Sequence, residues 1–135
     1  MDTLFSKIIS GEISSYKVAE DDYCFAFLDI RPNTKGHVLC VPKVAIDKVF
    51  DLSETTYLQL MSFSRNVALA IRKAIDCKRV GMTVIGLDVP HAHVHLIPLK
   101  SMEDATFQKQ VQLTSDEMEE TAKAIAGYFN LSQSL

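Results

Sequence analysis

Long apolar runs are missing from this chain. Nowhere do about 18 consecutive apolar residues occur, the length a helix needs to cross a bilayer. The amino terminus, Met-Asp-Thr-Leu-Phe-Ser-Lys, has neither a basic start nor an apolar core, so no leader is read there and the expected location is cytoplasmic. An excess of positive charge is missing too. Fourteen Lys and Arg against 17 Asp and Glu leave a net charge of −3, which offers no general attraction to nucleic acid or to anionic membrane. Phosphate binding has to come from local groups. Cysteine is sparse: Cys24, Cys40 and Cys77 are an odd number with no Cys-x-x-Cys pair, each within an apolar segment. That pattern argues for reduced, partly buried thiols and against a disulfide framework. Internal repeats, low-complexity tracts and long linkers are also absent. The 135 residues suit one domain, 1–135, with a core of its own.

Histidine is rare as well, but unevenly placed. Three of the four occur in Pro90-His91-Ala92-His93-Val94-His95-Leu96-Ile97-Pro98. Apolar residues alternate with the histidines and a proline bounds each end, the pattern of a strand. His91, His93 and His95 then line one face, about 6–7 Å apart per step, with Ala92, Val94 and Leu96 on the other. Each imidazole brings a polar donor and acceptor that burial must satisfy, so such a row seldom serves packing. Three readings stand. A zinc site is chemically suitable, and His37 is a further candidate ligand, but three successive alternating positions rarely converge on one ion. Nucleophilic catalysis is the second, with mutual repulsion of protons keeping the attacking ring neutral. The third is a polar row on an exposed sheet face.

Periodicity supplies the frame around this row. Leu4, Phe5, Ile8 and Ile9 predict a short helix closed by Gly11. Strands are expected near Lys17–Glu20 and Tyr23–Asp29, joined by a turn at Asp21-Asp22, and after the turn-forming stretch Arg31–Gly36 another at His37–Lys43. Leu60, Phe63, Val67, Ile71 and Ala74 mark a long helix over 53–76, capped by Ser53 or Asp51. Strands near Arg79–Ile85 and His91–Leu99 follow. A last helix over 115–129 starts at a Thr114/Glu117 capping box and buries Met118, Ala122, Ile125 and Phe129. This order reads as an α+β domain with an antiparallel sheet.

His91-Ala92-His93-Val94-His95-Leu96-Ile97 resembles the signature of the histidine-triad (HIT) family of nucleotide hydrolases, His-φ-His-φ-His-φ-φ with φ apolar. Leu4–Ile13 is similar to the family's amino-terminal helix. Phe25–Pro32 is similar to its nucleotide-binding strand and turn, and Gly36–Lys43 to the strand that follows, all in family order and of bacterial type. The resemblance implies a five-stranded antiparallel sheet with two main helices, and a homodimer that extends the sheet. It implies hydrolysis of a nucleoside 5′-phosphoramidate or dinucleoside polyphosphate at the α-phosphorus through a covalent nucleotidyl-histidine. His93 is the implied nucleophile, with His91 and His95 flanking it and His37 in the same polar network. His95 at the third position fits hydrolases; transferases of the wider superfamily carry glutamine there. Phe5, Ile8, Phe27, Leu28 and Ile30 are the implied walls of a purine pocket. Asp29 is the implied acceptor of ribose hydroxyls, the right type for that task. On the residues alone, Asp29 reads equally well as a turn former.

Two departures from the family pattern matter. The approach to the triad, Val84-Ile85-Gly86-Leu87-Asp88-Val89-Pro90, is short. It places Leu87 and Asp88 in the phosphate-contact region, where glutamine and serine or threonine are usual. A leucine donates no hydrogen bond and an ionised Asp repels phosphate oxygens, so a nucleotide-binding or scaffold protein with little turnover is the rival reading. Thr3 and Ser6 also stand where zinc-bearing members carry Cys-x-x-Cys, and neither is a good zinc ligand. The expectation is therefore no metal and no cofactor, a purine nucleotide as partner, and no nucleic acid or membrane.

Overall fold

The computed structural model describes residues 2–133. Helix α1 is Leu4–Ser10, started by Thr3 and stopped by Gly11 at φ +85°, a left-handed conformation that glycine adopts without steric cost. Strands β1 (Lys17–Glu20), β2 (Cys24–Leu28), β3 (Val38–Pro42), β4 (Arg79–Thr83) and β5 (Val94–Leu99) form one sheet. Its order is β1-β2-β3-β5-β4, antiparallel throughout. Helices α2 (Glu54–Ala74) and α3 (Ser115–Gln133) complete the fold. Ser53 caps α2 through Thr56 N–H, and the Thr114/Glu117 capping box opens α3. Each cap satisfies amides that have no partner in the first helical turn.

Alternation along the strands divides the buried residues between two faces. Cys24, Ala26 and Leu28 of β2 join Leu60, Phe63, Val67 and Ile71 of α2 and Met118, Ala122, Ile125 and Phe129 of α3 in the main core. Phe25 and Phe27 point the other way and join Phe5, Leu39 and Val41, with Ile8, Ile9 and Val89 packed alongside. Helix α1 thus covers the sheet face that the long helices leave open. Cys24 and Cys40 are fully buried free thiols, and burial raises both above the ordinary thiol range.

The turn before β3 explains the position of His37. Gly36 has φ +93°, and a Cβ there would lie 2.8 Å from Ile75 Cγ1, so only glycine lets the chain pass α2's carboxy-terminal end this closely.

Several element ends differ from the pattern read in the sequence: β2 and β3 are each a residue shorter at both ends and α2 stops at Ala74. Three further differences have a visible cause. Strand β5 begins at Val94, not His91. The Ala92 N–H is taken by the Ile46 carbonyl and the His91 carbonyl by the His93 ring, so neither is left for a ladder. Strand β4 accordingly stops at Thr83, opposite His95, and Val84 and Ile85 have no strand partner. Helix α3 runs to Gln133 because no glycine or proline interrupts it after Phe129. No helix among the described residues is long and apolar enough to cross a membrane.

Candidate active site

The histidines occupy one face as the alternation predicts, although only His95 lies within β5. Ala92, Val94 and Leu96 are in the main core. On the opposite face His91, His93 and His95 are 0%, 6% and 8% exposed, and His37, at the entrance to β3, is 1% exposed. The His93 and His95 ring centroids are 5.0 Å apart, and those of His37 and His95 5.2 Å apart. Four imidazoles this deeply buried must each find partners or keep a route to solvent.

Their partners decide where each proton sits, because a carbonyl can only accept and a backbone N–H can only donate. Asn33 N–H donates to His37 Nδ1 at 3.0 Å, which places the neutral ring's proton on Nε2. That Nε2–H meets His95 Nδ1 at 3.0 Å, so His95 carries its own proton on Nε2. His91 Nε2 is 2.8 Å from the Pro42 carbonyl and is therefore protonated. Its Nδ1 is left as an acceptor, 2.7 Å from Thr3 Oγ1. His93 Nδ1 donates to the His91 carbonyl at 2.8 Å, leaving a lone pair on His93 Nε2. Among the described residues Ser64 Oγ is the one fully buried side-chain polar atom without a partner. His93 Nε2 and His95 Nε2 also have no partner here, so solvent reaches both. The site therefore presents a nitrogen lone pair beside an N–H donor.

Electrostatics supports neutrality of the surrounding rings. Burial, then the neighbouring His95, pushes the His37 pKa down to about 3. Burial, then His93, pushes His95 down to about 4. His91 is lowered by burial against a raising bond to Pro42.

Asp29 follows β2 and faces this group. One carboxylate oxygen accepts Arg31 N–H at 2.9 Å, the turn-forming role. The other lies 3.6 Å from His37 Nε2, beyond hydrogen-bond length, and is left for another partner. Burial raises the carboxyl's pKa, against the lowering effect of Arg31. Asp29, His37 and His95 bring ligand-type atoms within 4.8 Å of one another. They do not fit a metal ion. His37 Nδ1 already accepts a backbone N–H, so coordination through Nε2 would require an imidazolate. Thr3 and Ser6 are no better, since their hydroxyls bind each other's backbone and His91.

The apolar residues named in the sequence separate into groups. Phe5 stands edge-on to His93 at 5.0 Å and to Phe27 at 5.4 Å, and Ile8 packs on the same cluster. Leu28 does not join them: alternation turns it into the main core, where it is 2% exposed. Ile30 is 74% and Leu87 88% exposed. Asp88 is exposed too, and its charge acts on His95 through space, in the raising direction.

Sequence reasoning missed three residues at the site. Thr3 binds His91, and Asn33 holds His37 while its side chain donates to the Asp104 carbonyl. Phe107 stacks edge-on against His95 at 5.0 Å and His37 at 6.0 Å, with its backbone at φ +62°, a strained value for a bulky residue. The Thr-x-x-Ser cap spacing gave a signal for Thr3 as a helix start; nothing local marks Phe107.

Residues 10–102 match the family model described as HIT domain. The chain belongs to the histidine-triad family. The histidine-triad relative named Protein hit, from Bacillus subtilis (strain 168), is 37% identical over 102 residues, 70% of this chain and 69% of that protein. Adenosine 5'-monophosphoramidase HNT1 of Saccharomyces cerevisiae is 36% identical over 98 residues, 70% of this chain and 61% of that protein. A crystal structure of a Hit-like protein involved in cell-cycle regulation from Bartonella henselae has a TM-score of 0.82 at 28% identity, covering 94% of this chain and 96% of that one. The five-stranded antiparallel sheet is thus the histidine-triad fold.

Proposed function

We propose that this histidine-triad protein is a hydrolase of purine nucleotides, cleaving a P–N or P–O–P bond at a nucleoside 5′-α-phosphorus through a nucleotidyl-His93 intermediate. The observation that carries this reading is the His93 Nδ1–H bond to the His91 carbonyl, which leaves the Nε2 lone pair open to solvent beside the His95 Nε2–H. His93 Nε2 attacks phosphorus in line, and the bond to the leaving group breaks with its electron pair. His95 Nε2–H donates towards phosphoryl oxygens as their charge grows, an interaction worth about 2–4 kcal/mol when well placed. Water then attacks the same phosphorus and the P–Nε2 bond breaks with its electron pair, releasing the nucleoside monophosphate and restoring the lone pair on His93. The proton that water gives up replaces the one the leaving group took from solvent as it departed. The free Asp29 oxygen suits ribose hydroxyls, and Phe5, Ile8 and Phe27 suit a flat base.

Yeast monophosphoramidase as a relative supports the phosphoramidate class. The working unit is proposed as a cytoplasmic homodimer of one-domain chains. Strand β4 is an unpaired sheet edge, and Met82, Ile85 and Leu58 are each about half exposed on or near β4 and α2. The exposure of Leu87, which supplies no donor, favours the rival reading of a nucleotide-binding protein with little turnover.

Mass spectrometry of the protein mixed with nucleoside phosphoramidates and dinucleoside polyphosphates tests both. A transient nucleotidyl adduct and released monophosphate are expected. His93→Ala should abolish both while AMP binding persists, and near-normal hydrolysis by His93→Ala would sink the assignment. Binding without any adduct or product favours the rival.

A further inference from the structure

Thr3 is a buried residue ahead of α1, 5% exposed, whose hydroxyl works in two directions. As an acceptor it takes Ser6 N–H at 3.0 Å and caps the helix. As a partner of His91 Nδ1 at 2.7 Å it has to be the donor. The His91 proton is held on Nε2 by the Pro42 carbonyl, so Nδ1 offers only a lone pair. Both ring nitrogens of His91 are then tied, one to the strand end and one to the amino-terminal helix. The same residue's carbonyl accepts His93 Nδ1–H. A ring pinned at two points resists rotation of the peptide that carries this carbonyl, and the carbonyl decides which nitrogen of His93 keeps its lone pair.

We propose that Thr3 is a positioning residue: its hydroxyl, by donating to His91, fixes the His91 carbonyl that sets the proton position and aim of His93. The proposal rests on the reading of His93 as nucleophile. The contact has a second effect, because it seats α1 where Phe5 stands edge-on to the His93 ring. Here a hydroxyl clasp ties the helix to the triad. Ser6 takes part in the cap through its own hydroxyl, which accepts from Thr3 N–H at 2.6 Å and donates to the Thr3 carbonyl at 2.9 Å. It also lies 3.4 Å from Thr3 Oγ1, a poorer acceptor for the Thr3 hydroxyl proton than His91 Nδ1 at 2.7 Å. That separates helix capping from histidine positioning.

The test uses Thr3→Val, Thr3→Ser and Ser6→Ala, each labelled with 15N at histidine and observed at pH 7.5 by side-chain NMR. In the unmodified protein His91 should carry its proton on Nε2 and His93 on Nδ1. In Thr3→Val the His93 signals should move towards a mixture of both tautomers. Its single-turnover rate with an adenosine phosphoramidate should fall at least tenfold, with AMP affinity changed less than threefold. Thr3→Ser should restore both, and Ser6→Ala should leave both near the starting values. Unmoved His93 signals in a folded Thr3→Val overturn the proposal, as does an equal loss in Ser6→Ala. So does a His91 protonated on Nδ1 in the unmodified protein, a result that does not depend on any variant folding. If the tautomers respond as stated but no substrate turns over, the positioning role stands and the hydrolase reading fails.

Discussion

His37 and His95 titrate far below the ordinary imidazole range, at about 3 and about 4, because burial penalises the charged ring. Near pH 6.5 an unfolded chain takes up these protons and the folded chain does not. The stability this difference contributes is therefore complete above pH 6.5 and declines as the pH falls from there towards 4 and then 3. Asp29, raised by burial, acts with the opposite sign as it protonates. Glu20, Asp104 and Glu117, all lowered by hydrogen bonds, lose their contributions only below the ordinary carboxylate range. The window from pH 6.5 to about 5 thus belongs to the histidines. Urea midpoints should be lower at pH 5 than at pH 7, and a His37→Gln/His95→Gln double variant should show a smaller drop; an equal drop in both proteins would refute the assignment. At this scale the triad was legible in the sequence, because strand alternation and side-chain chemistry are local properties. Asp29 was legible only as one of two roles; the structure shows the turn-forming one, with Arg31 N–H on one carboxylate oxygen, and leaves the other oxygen available for the role proposed above. Leu28 belongs to the opposite face from Phe27, because neighbours along β2 alternate, and so lies in the main core and not in an apolar pocket wall. The role of Thr3 was illegible because its partner lies 88 residues away.

Between β4 and β5 the chain reaches the triad through an exposed segment in which Leu87 offers only apolar surface and Asp88 a negative charge. If that segment is what limits phosphate stabilisation, Leu87→Gln with Asp88→Ser should raise the single-turnover rate of an adenosine phosphoramidate several-fold, with little change in adenosine binding. Each well-placed donor has about 2–4 kcal/mol to recover, and the shortened loop sets how much of it is realised. An unchanged or slower rate would mean that the native loop meets the phosphate through its own backbone amides. Elements away from this segment were readable because periodicity and caps agree: α2 and α3 begin at the capping residues, and the apolar stripes face the core. The ends of β4 and β5 were not readable. They are set by Ile46 and the His93 ring capturing ladder groups, competition that no local pattern records.

Across the whole molecule the two sheet faces are held unequally. Helices α2 and α3 seal one face with most of the buried residues, whereas the other rests on a small cluster to which α1 contributes Phe5, Ile8 and Ile9. Helix α1 has seven residues, too few to persist once undocked. Its release should therefore require less free energy than opening β3, which lies between β2 and β5 with every residue buried. Amides of α1 are expected to exchange with deuterium well ahead of those in β3. Each release parts Thr3 from His91 and Phe5 from His93 in one movement, so the working geometry exists only for the fraction of time that the helix is down. If a nucleotide base leans on Phe5 as proposed above, the nucleotide would bind that fraction alone and would have to raise it. Saturating AMP should slow exchange in α1 and leave β3 unchanged. On this view the occupied and empty proteins differ mainly in how long seven residues stay in place.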